Sequence, residues 1–323
     1  MIDWANKSLQ ALPTADVCRV QRTPLEHYPQ LAEELGLQAL AIKRDDATHP
    51  EFGGNKTRKL AFIIGDALRR RARTLVTVGG VGSNHALATS WFGRKASLET
   101  VAFLVAQPEH PELNRYARAH RALGTRVIGP RTSWSATVRS LRRLHGAYFV
   151  GPGGSSPTGI MGAFLGGLEL AEQLGTNPWS AAVVAAGSGG TAAGLAVGLG
   201  AAGYQTPVYA VATVPKPWMS ARRLRRLVRR QVDFIDRVVG HRPRPAPIRP
   251  VFGFVGGGYG HATTPAQRAT WLVARAGGPT LDHVYTAKAF AGLCSLARGP
   301  LRDERVVFVH TKGAWADSAG QSG

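Results

Sequence analysis

Three glycine-rich stretches set reactive or anion-binding residues at junctions of expected strands and helices. Ala186–Thr191 (AGSGGT) joins an apolar strand to an Ala/Gly-rich helix. Its small residues let the backbone wrap an anion, free N–H groups at the helix start point outward, and Ser188 and Thr191 add hydroxyl donors. It is neither GxGxxG nor the GK[ST] of a P-loop, which disfavours dinucleotides and ATP. A plain strand–helix turn is the alternative. In Phe52–Leu60 (FGGNKTRKL), Lys56 falls in the first turn of a helix behind Gly53 and Gly54. The partial positive charge of a helix start disfavours an ammonium, so this amine is more readily neutral, nucleophilic and able to form a Schiff base. Arg58 and Lys59 follow closely and would add anion affinity; the competing reading is a solvated basic helix start. In Gly79–His85 (GGVGSNH), Ser83 and Asn84 stand where a strand ends and a helix begins. There they either cap the helix or, with the exposed N–H groups, hold a substrate carboxylate.

A phosphate cradle, a helix-start lysine and a carboxylate-binding Ser-Asn turn together describe a site for pyridoxal phosphate. At this combination the chain resembles the 1-aminocyclopropane-1-carboxylate deaminase and D-cysteine desulfhydrase family of pyridoxal-phosphate enzymes. The likeness is carried by Lys43–Leu60 (KRDDATHPEFGGNKTRKL) and Thr74–His85 (TLVTVGGVGSNH). It continues in Arg22–Tyr28 (RTPLEHY), AGSGGTAAGL from Ala186, GGGYG from Gly256 and HVYTAKAFAG from His283, so it spans nearly the whole chain. FGGNKTRKL and GSNH are highly specific to the family; the Gly-Ser-Gly-Gly-Thr match occurs more widely.

The resemblance implies an α/β, tryptophan-synthase-β-like fold, also called fold type II: two open, twisted, mostly parallel sheets covered by helices. A small domain of residues 56–159 would be inserted into a large cofactor-binding domain of residues 1–55 and 160–323. By motif position, Lys56 would carry pyridoxal phosphate covalently and Asn84 would hydrogen-bond its phenolic oxygen. Gly187, Ser188, Gly189, Gly190 and Thr191 would cradle the phosphate, with Lys59 helping. Ser83 would contact the substrate carboxylate or shuttle a proton, with Asn84 and His85 on the substrate-binding side. Tyr259 and Tyr285 would approach the substrate, although each alone also reads as a packing residue. The family likeness further implies a homodimer.

The residue after Tyr285 bears on reaction type. Deaminase members carry a glutamate there, which keeps the pyridine nitrogen protonated; this chain has Thr286, as the desulfhydrase-like members do. A neutral partner weakens the electron sink. That suits α,β-elimination, where a leaving group drains the carbanion, better than opening a cyclopropane ring. Thr311 is the other candidate partner of that nitrogen. Departures from the family cluster on this side: His261-Ala262-Thr263-Thr264-Pro265 after Gly-Tyr-Gly, Asp282-His283 where Asp-Pro is usual, and His310-Thr311-Lys312-Gly313 for His-Thr-Gly-Gly. The expectation is a lyase that deaminates a small amino acid, most like D-cysteine, to a 2-oxo acid. The alternatives are a ring-opening deaminase and a specialised β-replacement or biosynthetic enzyme.

The elements that must position these residues alternate β and α, which implies parallel strands under helices. Strands are expected at Ala39–Lys43, Thr74–Val78, Thr100–Val105, Arg126–Ile128, Tyr148–Val150, Ala181–Ala186, Val208–Ala212 and Val306–His310. Helices are expected at Asn55–Arg71, Asn84–Lys95, Glu112–Leu123, Ser133–His145, Thr158–Leu174, Thr191–Gly200, Ser220–Val239, Pro265–Ala276 and Lys288–Arg298, with a Pro-rich loop at Pro243–Pro250.

Composition bounds the remaining classes. Apolar residues are 44% of the chain and charged ones 19%, enough core material to exclude disorder. Cys18 and Cys294 have no metal or disulfide-framework spacing, and the histidines form no HxxxH pair, so no metal site is expected. The net charge of +20 comes mostly from Arg spread along the chain, with one cluster of six in the nine residues Arg222–Arg230. A nucleic-acid-binding protein is the remote alternative; a solvated helix face is the favoured reading of that cluster. The uncharged run Ala181–Gly203 is 23 residues long, but its seven Gly and the break at Gly187–Gly190 favour strand, turn and helix over a membrane span. With no apolar leader in the first 20 residues, a cytoplasmic protein that meets no membrane is expected.

Overall fold

A computed structural model describes residues 11–107, 112–129, 146–176, 178–216 and 218–315. Two open sheets carry the architecture. The larger has six strands in the order β1 (Leu25–His27), β2 (Ala39–Lys43), β11 (Arg305–Val309), β8 (Ala181–Ala186), β9 (Val208–Ala212) and β10 (Ile248–Val251). All neighbours are parallel except β1 with β2. The smaller is wholly parallel, in the order β6 (Arg126–Ile128), β5 (Glu99–Val105), β4 (Thr74–Gly80) and β7 (Ala147–Val150). A ribbon of β3 (Phe52–Gly54) antiparallel to β12 (Lys312–Trp315) completes the strands. The expected fold of two mostly parallel sheets under helices is therefore present.

The helices are α1 (Pro29–Leu35), α2 (Asn55–Arg69), α3 (Asn84–Lys95), α4 (Leu113–Ala122), α5 (Pro157–Leu174), α6 (Gly190–Ala201), α7 (Ala221–Val239), α8 (Thr264–Arg275) and α9 (Thr286–Ala297). Strand β8 shows why its run is apolar without alternation: both faces are covered. Ala181, Val183 and Ala185 join a core with α8 and α9, while Ala182, Val184 and Ala186 join another with α5 and α6. Helices α5 and α6 meet at glycines; a Cβ on Gly198 would lie 2.3 Å from the Phe164 carbonyl oxygen. The uncharged Ala181–Gly203 run is thus strand, turn and helix, and no helix among the described residues is long and apolar enough to cross a membrane.

Most expected elements differ from the observed ones by two residues or fewer at either end. Pro243–Pro250 is the exception: its end enters β10, where Pro250 is tolerated because β10 is the sheet edge and needs no N–H on its open side. Periodicity also missed β1, α1, β3 and β12, which are too short or too irregular to show a period. The helix expected at Ser133–His145 lies outside the described residues.

Candidate active site

Four segments converge where the parallel strands end, the usual ligand position in open α/β sheets. They are the starts of α2, α3 and α6 and the link from β11 into β12. The ribbon pairs Lys312 with Gly54, and the Asn55 N–H donates to the Thr311 carbonyl at 3.0 Å, so the Lys56 turn is tied to the HTKG segment. Asn55 Nδ2 donates to Thr191 Oγ1 at 2.8 Å, tying the same turn to the glycine-rich one. Glycine is required at these crossings. Gly54 has φ +110° and Gly53 would put a Cβ 1.8 Å from the Asp46 carbonyl oxygen.

The segments enclose a cavity of about 700 Å³. Lys56 lines it, as do Ser83, Asn84 and His85 from α3 and Gly187 to Thr191 from the β8–α6 turn. Tyr259, Tyr285, Thr311 and Lys312 line it as well. No Asp or Glu lines it among the described residues.

Burial pulls the Lys56 amine down to about 8, so a substantial fraction is neutral near physiological pH. Lys59 does not line the cavity. It sits behind the glycine turn, fully buried, donating to the Gly153 carbonyl at 3.1 Å, with its Nζ 2.8 Å from where a Gly190 Cβ would be. Burial and then the charge of Lys56 hold Lys59 well below its ordinary value. Gly189, the N-cap of α6, has φ +86°. A Cβ at Gly190 would strike Ser155 Oγ at 2.3 Å, and one at Gly153 would strike Ser188 Oγ at 2.2 Å. Backbone N–H groups, two serine hydroxyls that bond each other at 2.7 Å, and the buried Lys59 amine surround this corner.

Ser83 both caps and faces the cavity: its Oγ accepts from Ala86 N at 3.3 Å, leaving its O–H free to donate. His85 is neutral, held well below its ordinary value by burial and then by Lys56 and Lys59. Its Nε2 bonds the Gly151 carbonyl at 3.1 Å and its Nδ1 is buried without a partner. The phenol oxygens of Tyr259 and Tyr285 are 2.8 Å apart. Burial raises both, Tyr259 to about 12, so both stay protonated; one donates to the other and one O–H remains for a ligand.

Two sequence readings need correction. Arg58 adds no anion affinity to the cavity: it turns into a buried ion cluster with Asp45 and Glu169, which Lys43 also joins. Thr286 is fully buried at the start of α9 and does not line the cavity; its Oγ1 donates to Asp282 Oδ1 at 2.7 Å. The side chain of Asp282 also accepts from the N–H groups of residues 284, 285 and 286, so it serves the helix start.

The sequence pattern of the pyridoxal-phosphate dependent enzymes matches residues 19–312. The chain belongs to the pyridoxal-phosphate dependent enzyme family. A Pyrococcus horikoshii protein provisionally named a 1-aminocyclopropane-1-carboxylate deaminase is 33% identical over 298 residues, covering 90% of this chain and 89% of the relative. A Thermotoga maritima protein with the same provisional name is 31% identical over 301 residues, covering 90% and 93%. The crystal structure of a 1-aminocyclopropane-1-carboxylate deaminase homologue superposes with a TM-score of 0.81 at 29% identity, covering 97% of this chain and 95% of that one. The fold is type II, and the chain is a pyridoxal-phosphate-dependent enzyme of the lyase and deaminase class.

The cavity fits that cofactor. The glycine turn and Lys59 suit a phosphate, the low-lying Lys56 amine suits an aldehyde, and Asn84 offers an amide to a phenolic oxygen. Sequence reasoning gave no role to Lys312, whose Nζ donates to Asn84 Oδ1 at 3.1 Å, or to Arg223, whose Nε donates to the Ser188 carbonyl at 3.2 Å. The available signals were a lysine replacing a small family residue in HTKG and an arginine that begins a helix beside the cradle. Lys288, fully buried, donates to the carbonyls of Val255 at 2.7 Å and Gly258 at 3.1 Å and so holds the loop carrying Tyr259.

Proposed function

We propose that the chain catalyses α,β-elimination from a small amino acid with a leaving group on its β-carbon, most like D-cysteine. The observation that carries this reading is the absence of any carboxylate among the described residues lining the cavity. Bound pyridoxal phosphate supplies an electron sink for the α-carbanion of an amino acid. A carboxylate beside the ring nitrogen would deepen that sink; Thr311 offers a hydroxyl and Thr286 is turned away toward Asp282. A shallow sink favours a reaction in which the electrons leave at once with a departing group.

The residues then divide the work. Lys56 would hold the cofactor and, once the substrate amine has replaced it there, its freed amine, which burial draws down to about 8, would take up the α-proton. The N-terminus of α3 and the Ser83 hydroxyl hold the substrate carboxylate. The free O–H of the tyrosine pair faces the departing sulfur and donates to it as the Cβ–S bond breaks. Hydrosulfide leaves with the bonding pair, and water hydrolyses the resulting enamine to pyruvate and ammonia. In this reading residues 56–159 form the smaller unit set into residues 1–55 and 160–323, and the chain works as a homodimer.

The provisional names of the relatives favour a second reading, opening of 1-aminocyclopropane-1-carboxylate to 2-oxobutyrate. Side-by-side assays of pyruvate, sulfide and 2-oxobutyrate separate the two. D-Cysteine and β-chloro-D-alanine are expected to give pyruvate at least ~10-fold faster than the cyclopropane gives 2-oxobutyrate, a difference of about 1.4 kcal/mol in barrier. Faster ring opening overturns the elimination reading.

A further inference from the structure

Lys312 has no counterpart in the family pattern, where a glycine follows His-Thr. It is a partly buried lysine on the cavity wall, and desolvation lowers its pKa. Two of its three donors are taken, by Asn84 Oδ1 at 3.1 Å and the Gly313 carbonyl at 3.3 Å. Among the described residues no carboxylate forms an ion pair with it: Asp282 and Glu112 act on it only at longer range, opposed by Arg115.

This contact decides the orientation of Asn84. An ammonium donates and cannot accept, so the amide atom facing it must be oxygen. The Asn84 NH2 group is thereby turned the other way and, among the described residues, meets no protein acceptor. Two N–H donors, one from the amide and one from the remaining proton of Lys312, are left for an acceptor oxygen on a ligand. A partly buried lysine with no ion-pair partner makes an anionic oxygen the favoured one.

We propose that Lys312 is a positioning residue that locks the Asn84 amide and, with it, forms a corner holding the phenolic oxygen of pyridoxal phosphate as an oxyanion. The inference rests on the reading that sets this oxygen at Asn84. The other ionisable groups lining the cavity are Lys56 on α2, His85 on α3, His261 and the Tyr259–Tyr285 pair. His85 is already neutral and both phenols stay protonated, so none of these three supplies a charge there.

The test is pH titration of the visible absorbance of resting holoenzyme, together with cofactor titration of the apoprotein. Lys312→Met is expected to raise the pH midpoint of the band by ~1 unit or more, because the ionised phenol loses its cation. Cofactor affinity should fall ~10-fold, and Lys312→Arg should restore most of both effects. In an Asn84→Ala background, Lys312→Met should shift the midpoint less, since the two act on one oxygen. An unmoved midpoint in a folded Lys312→Met overturns the inference, as does a change confined to substrate KM, which would assign Lys312 to the substrate carboxylate. Should Lys312→Met not fold, 3-O-methylpyridoxal phosphate on the unaltered chain decides the question: affinity equal to that of the natural cofactor overturns it. A native chain with no visible band refutes the site reading itself; a band with an unmoved midpoint refutes only the Lys312 assignment.

Discussion

The two ends of the cavity are made of different material. The end proposed for the phosphate is backbone: the Gly187–Thr191 turn, the first N–H groups of α6 and a lysine packed behind them. The rest of the wall is side chains: Tyr259 on Tyr285, Lys312 on Asn84, and Ser83 over its helix start. A backbone cradle has few solutions, because a Cβ at Gly190 or Gly153 would collide with serine oxygens that point inward. A side-chain wall has many, since each group can be exchanged without moving the chain. The glycine turn stands as in the family pattern, while His261 and Lys312, two of the departures quoted above, line the side-chain wall.

Lys56 joins the two ends, and its removal should have the largest effect. Lys56→Ala is expected to abolish the visible absorbance of the bound cofactor and to lower turnover by ~10⁴-fold or more, because it removes both covalent attachment and the α-proton base. Borohydride reduction of the native enzyme followed by peptide mapping checks the attachment. Pyridoxyl on Lys59, Lys288 or Lys312 would move the attachment away from Lys56. Retained phosphate binding in Lys56→Ala would sharpen the contrast, since the backbone cradle remains.

A substitution inside the cradle comes next. Gly189→Asp imposes a side chain on φ +86° and sets a Cβ 3.3 Å from the leucine methyls at 224 and 227. It also sets a carboxylate among Leu224, Leu227 and Met219, at the turn proposed to hold a dianion. Strain of ~1–3 kcal/mol together with charge repulsion should lower cofactor affinity ~100-fold or more, with little change in turnover once the enzyme is saturated. Apoprotein titration measures the first quantity and excess-cofactor kinetics the second. Unchanged affinity would mean that the phosphate sits elsewhere.

The same division explains what could be read from residues alone. Gly53, Gly54 and the AGSGGT turn announce themselves because glycine is needed at their crossings, and strand β8 before the AGSGGT turn is marked by an uninterrupted apolar run. Lys56 was legible because its place in a helix is local. Thr286 was not: its neighbours permit a hydroxyl facing the ring, and only Asp282, four residues upstream, draws it into the start of α9. Arg58 was misread for a related reason. Its partners Asp45 and Glu169 are 13 and 111 residues away, and no local pattern reports an ion cluster assembled from three segments. Lys312 was visible as a departure yet not as a contact, because Asn84 lies 228 residues earlier.

The arginine-rich helix α7 tests how far the phosphate end extends. Arg222, Arg225, Arg226, Arg229 and Arg230 are exposed, while the buried side of the helix is Leu224, Leu227, Val232 and Ile235. Exposed charges beyond a Debye length of about 10 Å at 0.1 M salt act weakly on a shielded site. Arg223 differs from them. It is partly withdrawn from solvent, its charge is opposed first by burial and then by Arg226 and Arg230, and its Nε donates to the Ser188 carbonyl at 3.2 Å. That contact holds the turn from Ser188 into Gly189 and Gly190, whose N–H groups would meet a phosphate in the proposed site. Replacing the five exposed arginines together by glutamine should leave cofactor affinity within ~2-fold, the range expected of surface changes. Arg223→Gln alone should weaken it ~3- to 10-fold through loss of one charge-assisted hydrogen bond. Apoprotein titration at two salt concentrations reads both. A large loss in the fivefold variant, reproduced by raising salt in the native chain, would show that the whole arginine face serves the phosphate by long-range attraction. A silent Arg223→Gln would confine the cradle to the backbone of residues 187–191 and the lysine behind it.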